Sequence, residues 1–141
     1  MVQLTKIFHF EMAHAIHGYF GACKNIHGHS YELHVTLCTS ENTDQYIPAP
    51  GFIVDFKDIK KIVQNSIVQQ LDHKLVLSTA YLKEYPNFIE QENLVEWQME
   101  PSAENILLYS VSILKDNLPF NTKLVHLKLH ETLDSFAEWY E

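Results

Sequence analysis

Nine of the 141 residues are histidine, and three of them stand where their imidazoles could converge. His27 and His29 flank Gly28; on a strand, side chains two residues apart project to the same face, and a glycine between them gives neighbouring groups room. His14 ends the segment VQLTKIFHFEMAH (2–14), whose alternation puts Leu4, Phe8, Phe10, Met12 and His14 on one side and Gln3, Thr5, His9 and Glu11 on the other. A turn over 15–26 can bring this segment alongside residues 27–39, placing all three imidazoles on one sheet face. Three imidazoles leave a fourth position for water or substrate, the ligand set of a catalytic zinc site and not of a closed structural one. A lone histidine on an apolar strand face is ordinarily a hydrogen-bonded core residue, so the reading rests on the trio.

Other residues could move protons. Cys23 lies four residues before His27, in the turn; a thiol near a dication or an imidazolium ionises more easily, which makes it a candidate base or nucleophile beside the plainer reading of a small packing residue. Cys38, in strand context, reads as packing only. Asp72 and His73 adjoin at the end of a helical segment, and a carboxylate beside an imidazole orients and poises a general acid or base. A helix C-terminus also favours a histidine for structural reasons alone. Glu131 shares the inward parity of Val125, Leu127 and Leu129, so if buried it needs a hydrogen-bonding partner.

The elements that must position these groups are readable in outline. Residues 27–39 alternate like 2–14, with His27, His29, Tyr31, Leu33, Val35 and Leu37 on one face and Ser30, Glu32, His34 and Thr36 opposite. Gly18 and Gly21 mark a wide turn between the two strands. A polar loop, TSENTDQYIPAPG, precedes the run FIVDF. Residues 57–71 place Ile59, Ile62, Val63, Ile67 and Leu71 at helical spacing, with Asp58 in the first turn where the helix dipole favours it. Residues 74–100, rich in glutamate and broken by Pro86, read as a surface excursion that ends in a short strand at LVEWQM. Ser102 is placed to cap a second helix that continues to about Lys115. Residues 123–131 form a third long strand, and TLDSFAEWYE can pair as the last. No repeat, low-complexity segment or linker interrupts the chain, which reads as one domain over 1–141.

Composition bounds the partners. Eighteen acids against ten bases give a formal net charge of −8, and every base is lysine. Nucleic-acid binding rests on Lys and Arg neutralising phosphate and on Arg reading guanine, so DNA and RNA are set aside. Two cysteines without a secreted-scaffold spacing read as free thiols. The apolar runs fall far short of the roughly 20 residues of a membrane span, and MVQLTKIFHF lacks the order of a signal peptide. A cytoplasmic protein without membrane contact is the expectation.

The ordered set FHFEMAH (8–14), CKNIHGHSYEL (23–33), GFIVDF (51–56), LDHKL (71–75), PSAENI (101–106) and LHET (129–132) resembles the 6-pyruvoyltetrahydropterin synthase and 6-carboxytetrahydropterin synthase family from end to end. The resemblance implies an α+β tunnelling fold: an antiparallel four-stranded sheet carrying two helices on one face, with several subunits joining sheets into a barrel, a homo-oligomer built as a hexamer or on trimers, with active sites between subunits. It implies zinc on His14, His27 and His29, catalytic roles for Cys23 and for the Asp72 and His73 pair, and a pterin anchor at Glu131. Such a carboxylate can accept two parallel hydrogen bonds from the guanidine-like edge of a pterin. Ser102 and Glu104 fall in the segment lining the pterin pocket.

The implied substrate is 7,8-dihydroneopterin triphosphate. Three residues separate Cys23 from His27, a spacing that resembles the 6-carboxytetrahydropterin synthases, which cleave the side chain to release acetaldehyde and triphosphate for queuosine and deazapurine synthesis. The pyruvoyl product, formed by triphosphate elimination, is the alternative within the family. A zinc- or pterin-binding homologue without catalysis is the alternative of a different functional class. With no arginine in the chain, the triphosphate must be met by lysines, histidines, backbone N–H groups or the metal, and Lys24, directly after Cys23, is the best-placed base.

Overall fold

The computed structural model describes residues 1–41 and 45–141. The expected loop over 39–51 includes Asn42, Thr43 and Asp44, which lie outside the described residues. β1 (Gln3–His14) and β2 (His27–Thr39) pair antiparallel over their full length, from Gln3 opposite Cys38 to His14 opposite His27. Their alternation works as read: Phe8, Phe10, Met12 and His14 are buried, as are Tyr31, Leu33, Val35 and Leu37, while His9 and Glu11 face out. The connecting turn contains one 3-10 turn, Ala22–Lys24, and a left-handed Gly18 at φ 76°.

The helix read over 57–71 begins at α1 (Phe56–Val63), where the Asp55 carboxylate accepts from the Lys57 N–H at 2.8 Å. The rod is not uniform. Over Gln64–Val68 it widens to the i→i+5 pattern before closing in α2 (Gln69–Leu71). Within this stretch the Ser66 hydroxyl donates back to the Ile62 carbonyl at 2.7 Å. Ile59, Val63, Ile67, Val68 and Leu71 are all buried against the sheet.

The excursion at 74–100 requires a correction. It opens with β3 (Lys74–Ser78), continues through α3 (Thr79–Glu84) and returns as β4 (Leu94–Trp97). β3 lies parallel to β1 and β4 parallel to β3, so the sheet has six strands in the order β4-β3-β1-β2-β5-β6 and is mixed, not antiparallel and four-stranded. β3 is buried on both faces: Val76 joins the main core, while Leu75 and Leu77 form a second small core with Ala15, Tyr81 and Leu82. A strand covered on both sides reads as a continuous apolar run, which is why Leu75-Val76-Leu77 shows no alternation.

α4 (Ala103–Asn117) packs Ile106, Leu107, Val111 and Leu114 on the same face as α1, as the two-helix reading requires. Its N-cap is Ser102, whose hydroxyl accepts from the Asn105 N–H at 3.3 Å. β5 (Thr122–His130) pairs antiparallel with β2, and β6 (Phe136–Tyr140) closes that side of the sheet. A second correction falls in β5: the register shifts so that Thr36 pairs with His126 but Leu37 pairs with Leu124. The extra residue, Val125, is a β-bulge. It turns Leu124 inward, 3% exposed, and leaves Val125 half-buried, so the inward set is Leu124, Leu127 and Leu129.

Candidate active site

The β1–β2 register makes His14 and His27 a directly opposed pair and puts His29, opposite Met12, two residues further along the same face. The three ring centroids form a near-equilateral triangle with sides of 4.6, 5.2 and 4.9 Å. One ligand atom from each ring lies within 4.8 Å of the others, so the trio can hold a metal ion.

Hydrogen bonds fix which nitrogens are free. His14 Nδ1 lies 2.6 Å from the Pro101 carbonyl and His27 Nδ1 2.7 Å from the Asn25 carbonyl. A carbonyl only accepts, so each Nδ1 carries the proton and each neutral ring presents a bare Nε2. Those two Nε2 atoms stand 3.1 Å apart, and His29 Nε2 is buried without a hydrogen-bond partner among the described residues. Nitrogens each about 2.0–2.1 Å from one tetrahedral zinc stand about 3.3 Å from each other. Converging lone pairs at this spacing are unfavourable without a shared cation, and backbone carbonyls orienting ligand rings from behind are the usual support of a metal site. Burial holds the His14 imidazole below its ordinary range, against the opposing pull of the Pro101 carbonyl and Glu131. Burial also lowers His29. Neutral rings are the ligating form.

The Pro101 carbonyl is itself held by the entrance to α4. The Ser102 N–H and the Asn105 side-chain amide both donate to the Glu100 carbonyl, at 2.9 and 2.8 Å, while the Glu100 carboxylate accepts from the His17 N–H at 2.7 Å. Sequence reading missed Pro101, Asn25 and Glu100, because the contacts that matter are made by main-chain atoms or span long separations.

Glu131 follows directly after β5 and is half-buried. Its Oε1 lies 3.6 Å from His29 Nε2 and its Oε2 4.0 Å from His14 Nε2. The Tyr31 hydroxyl donates to Oε2 at 3.4 Å, which gives this half-buried carboxylate a hydrogen-bonding partner. Burial first, then Glu131, push the Tyr31 phenol far upward, so it keeps its proton for this bond. Tyr31 shares the inward parity of His27 and His29, a signal that could have singled it out.

A cavity of about 420 Å³ brings together His14, Cys23, Ser102, Glu104, Glu131 and Phe136. That volume suits a small ligand. Cys23 is exposed there on its turn, and its carbonyl accepts from the Ile16 N–H at 2.9 Å. Cys38, by contrast, is buried. Lys24 is exposed and does not line this cavity.

Asp72 and His73 are placed elsewhere. They follow α2, with His73 left-handed at φ 59° and its N–H donating to the Glu11 carbonyl at 2.6 Å. Asp72 Oδ1 accepts from the Glu11 N–H at 2.8 Å, and its Oδ2 lies 3.0 Å from His73 Nδ1. Burial alone would raise the Asp72 carboxyl, but the Glu11 N–H and His73 outweigh it and hold it low. His73 lines a depression with Glu11, His29, Ser30 and Asn93, which shares no lining residue with the Cys23 cavity. Within one chain, then, the thiol and the Asp-His pair do not meet.

A helix-backed sheet with three convergent imidazoles, one of which, His14, lines a cavity with an exposed thiol and a carboxylate, defines an enzyme for a small molecule. The chain belongs to the 6-pyruvoyl tetrahydropterin synthase family, whose model matches residues 3–141. It is 28% identical over 145 residues to a 6-carboxy-5,6,7,8-tetrahydropterin synthase of Haemophilus influenzae, covering 100% of both chains. It is 31% identical over 143 residues to an enzyme of the same name from Rickettsia bellii, covering 98% of this chain and 99% of that one. Among solved structures, an uncharacterized protein from Wolinella succinogenes shares the fold with a TM-score of 0.75 at 19% identity, over 99% of this chain and 97% of that one. Among the described residues no helix is long and apolar enough to cross a membrane.

Proposed function

We propose that this protein is a zinc-dependent 6-carboxytetrahydropterin synthase, which converts 7,8-dihydroneopterin triphosphate, with uptake of one water, to 6-carboxy-5,6,7,8-tetrahydropterin, acetaldehyde and triphosphate. The observation that carries the reading is the convergence of His14, Cys23 and Glu131 on one cavity, with His27 and His29 completing the imidazole trio. Zinc held by His14, His27 and His29 would polarise the substrate's side-chain oxygens and acidify the adjacent protons.

The chain's own residues divide the remaining work. Glu131 accepts two parallel hydrogen bonds from the guanidine-like edge of the pterin, with Tyr31 keeping its carboxylate in place. Ser102 and Glu104 line the pterin side of the cavity. The Cys23 thiolate takes a proton from the substrate side chain. His73 carries protons to and from the reacting oxygens, positioned by Asp72. Since Asp72 and His73 lie apart from the Cys23 cavity of their own chain, they serve the site of a neighbouring subunit, in a homo-oligomer, hexameric or trimer-based, whose sheets join into a barrel. The edge strands β4 and β6, each with one partner strand in the described chain, are the means of joining. Lys24 supplies positive charge for the triphosphate from the rim. The reaction places the protein in the cytoplasm.

The test is to incubate the zinc-loaded protein with dihydroneopterin triphosphate, identify the pterin by mass and assay acetaldehyde. Carboxypterin with stoichiometric acetaldehyde is the expected result. A pyruvoyl pterin without acetaldehyde would move the chain to the other branch of its family, and no turnover would reduce it to a binding protein.

A further inference from the structure

The sheet face away from the helices carries a second group of metal-ligand chemistry, none of whose three residues lines the Cys23 cavity. Glu32 and His130 are directly opposed across β2 and β5, and His34 stands two residues beyond Glu32 on the same face. One ligand atom from each of the three residues lies within 4.8 Å of the others. Glu32 Oε1 is 2.6 Å from His34 Nε2, and the His34 and His130 rings are 5.6 Å apart between centroids. All three residues are half-buried, so their rotamers are restrained while the open side remains available to water. A depression of about 510 Å³ lined by His9, Glu32 and His130 adjoins them and reaches His29 and Glu131 of the candidate active site.

We propose that Glu32, His34 and His130 form a second divalent-cation site for a metal of the zinc class. Two imidazoles and one carboxylate are a sufficient first set for zinc or cobalt, with water completing the coordination. On binding, the proton that His34 Nε2 shares with Glu32 passes to Nδ1 or to solvent, freeing that nitrogen as a ligand. The neighbouring charges permit it. His9, opposite Glu32 on β1, offers Nδ1 at 3.8 Å from Glu32 Oε2, a further neutral ligand within reach. Lys128, opposite His34, turns its ammonium onto the Phe136 ring, 3.6 Å from the centroid, and so is held by an aromatic face. A metal here would bridge β2 and β5 at the strand end from which Glu131 projects. None of its three ligands belongs to the imidazole trio, so the two sites are told apart by which variant loses metal.

The measurement is zinc stoichiometry on the native assembly, stripped by chelator and titrated with Zn²⁺ alone, with bound metal counted by elemental analysis. Wild type should take up two equivalents per chain. A His27→Ala, His29→Ala variant should keep one, and a His34→Ala, His130→Ala variant should keep the other. Glu32→Gln, which preserves size, should weaken the second equivalent at least tenfold while leaving the first unchanged. With Co²⁺ as probe, the visible absorption of the His27→Ala, His29→Ala variant should report nitrogen and oxygen ligation. A single equivalent in wild type that survives replacement of His34 and His130 overturns the proposal, as does a second equivalent that persists when they are replaced or is indifferent to Glu32→Gln; a single equivalent lost with His34 and His130 supports it and instead removes the metal from the imidazole trio.

Discussion

His14 and His27 face each other with their Nε2 atoms 3.1 Å apart while each commits its Nδ1–H to a backbone carbonyl. Two acceptors held this close favour whatever cation will share them. Metal should therefore stabilise the fold, by about 2.7 kcal/mol at a free concentration one hundred times its dissociation constant. Chelation should lower the melting temperature of wild type, and His27→Ala should remove the metal equivalent held by the imidazole trio together with that part of the response to chelator. Calorimetry with and without chelator checks this.

Cys23 is exposed and its thiol makes no hydrogen bond among the described residues, so its replacement should cost the fold little. Cys23→Ala should keep its metal, change stability by less than about 0.5 kcal/mol and lose at least about a hundredfold in turnover. Turnover within threefold of wild type would return the residue to packing.

Glu131→Gln retains an acceptor for Tyr31 but loses the charge and one of the two parallel contacts to the pterin edge. Hydrogen bonds to a charged group contribute roughly 1.5–3 kcal/mol, so affinity for a pterin lacking the side chain should fall about ten- to hundredfold. Metal content should stay at the wild-type value. Titration calorimetry on the loaded protein distinguishes loss of the anchor from loss of the metal.

Asp72 provides a test in pH. Its folded-state carboxyl lies below the ordinary value of 3.8, because the Glu11 N–H and His73 overcome the effect of burial. A depressed carboxyl contributes stability that is complete above the unfolded value and disappears as pH falls through the folded one. Asp72→Asn should therefore melt a few degrees below wild type at pH 7, and the gap should close as the pH falls below 3.8. The carboxylate is partly open to solvent, which keeps the effect below about 1 kcal/mol. Melting curves across that range decide it.

Strand parity was enough to read the imidazole trio, because β1 and β2 pair without a bulge and every side chain keeps the face that its position implies. The same rule went astray in β5, where one extra residue at Val125 shifts the phase; Leu127 and Leu129 lie beyond the bulge and kept theirs. β3 escaped notice for a different reason: Leu75 and Leu77 face one core and Val76 another, so the strand has no polar side to give it a period. The widening of the helix over Gln64–Val68 leaves its buried residues close to helical spacing and has no compositional mark. Glu32 and His34 were read only as outward-facing residues, since their pairing with His130 depends on the β2–β5 register.

The groups that aim the opposed rings of His14 and His27 are the carbonyls of Pro101 and Asn25. Every amino acid has a carbonyl, so no substitution at either position deletes the acceptor; only a change in the path of the chain can. The geometry of the site is thus tolerant of point mutation at its supports and intolerant of insertions or deletions between β1 and β2 or at the entrance to α4. Divergent sequences can drift at positions 25 and 101 and still orient the same two rings, provided that loop lengths there are preserved.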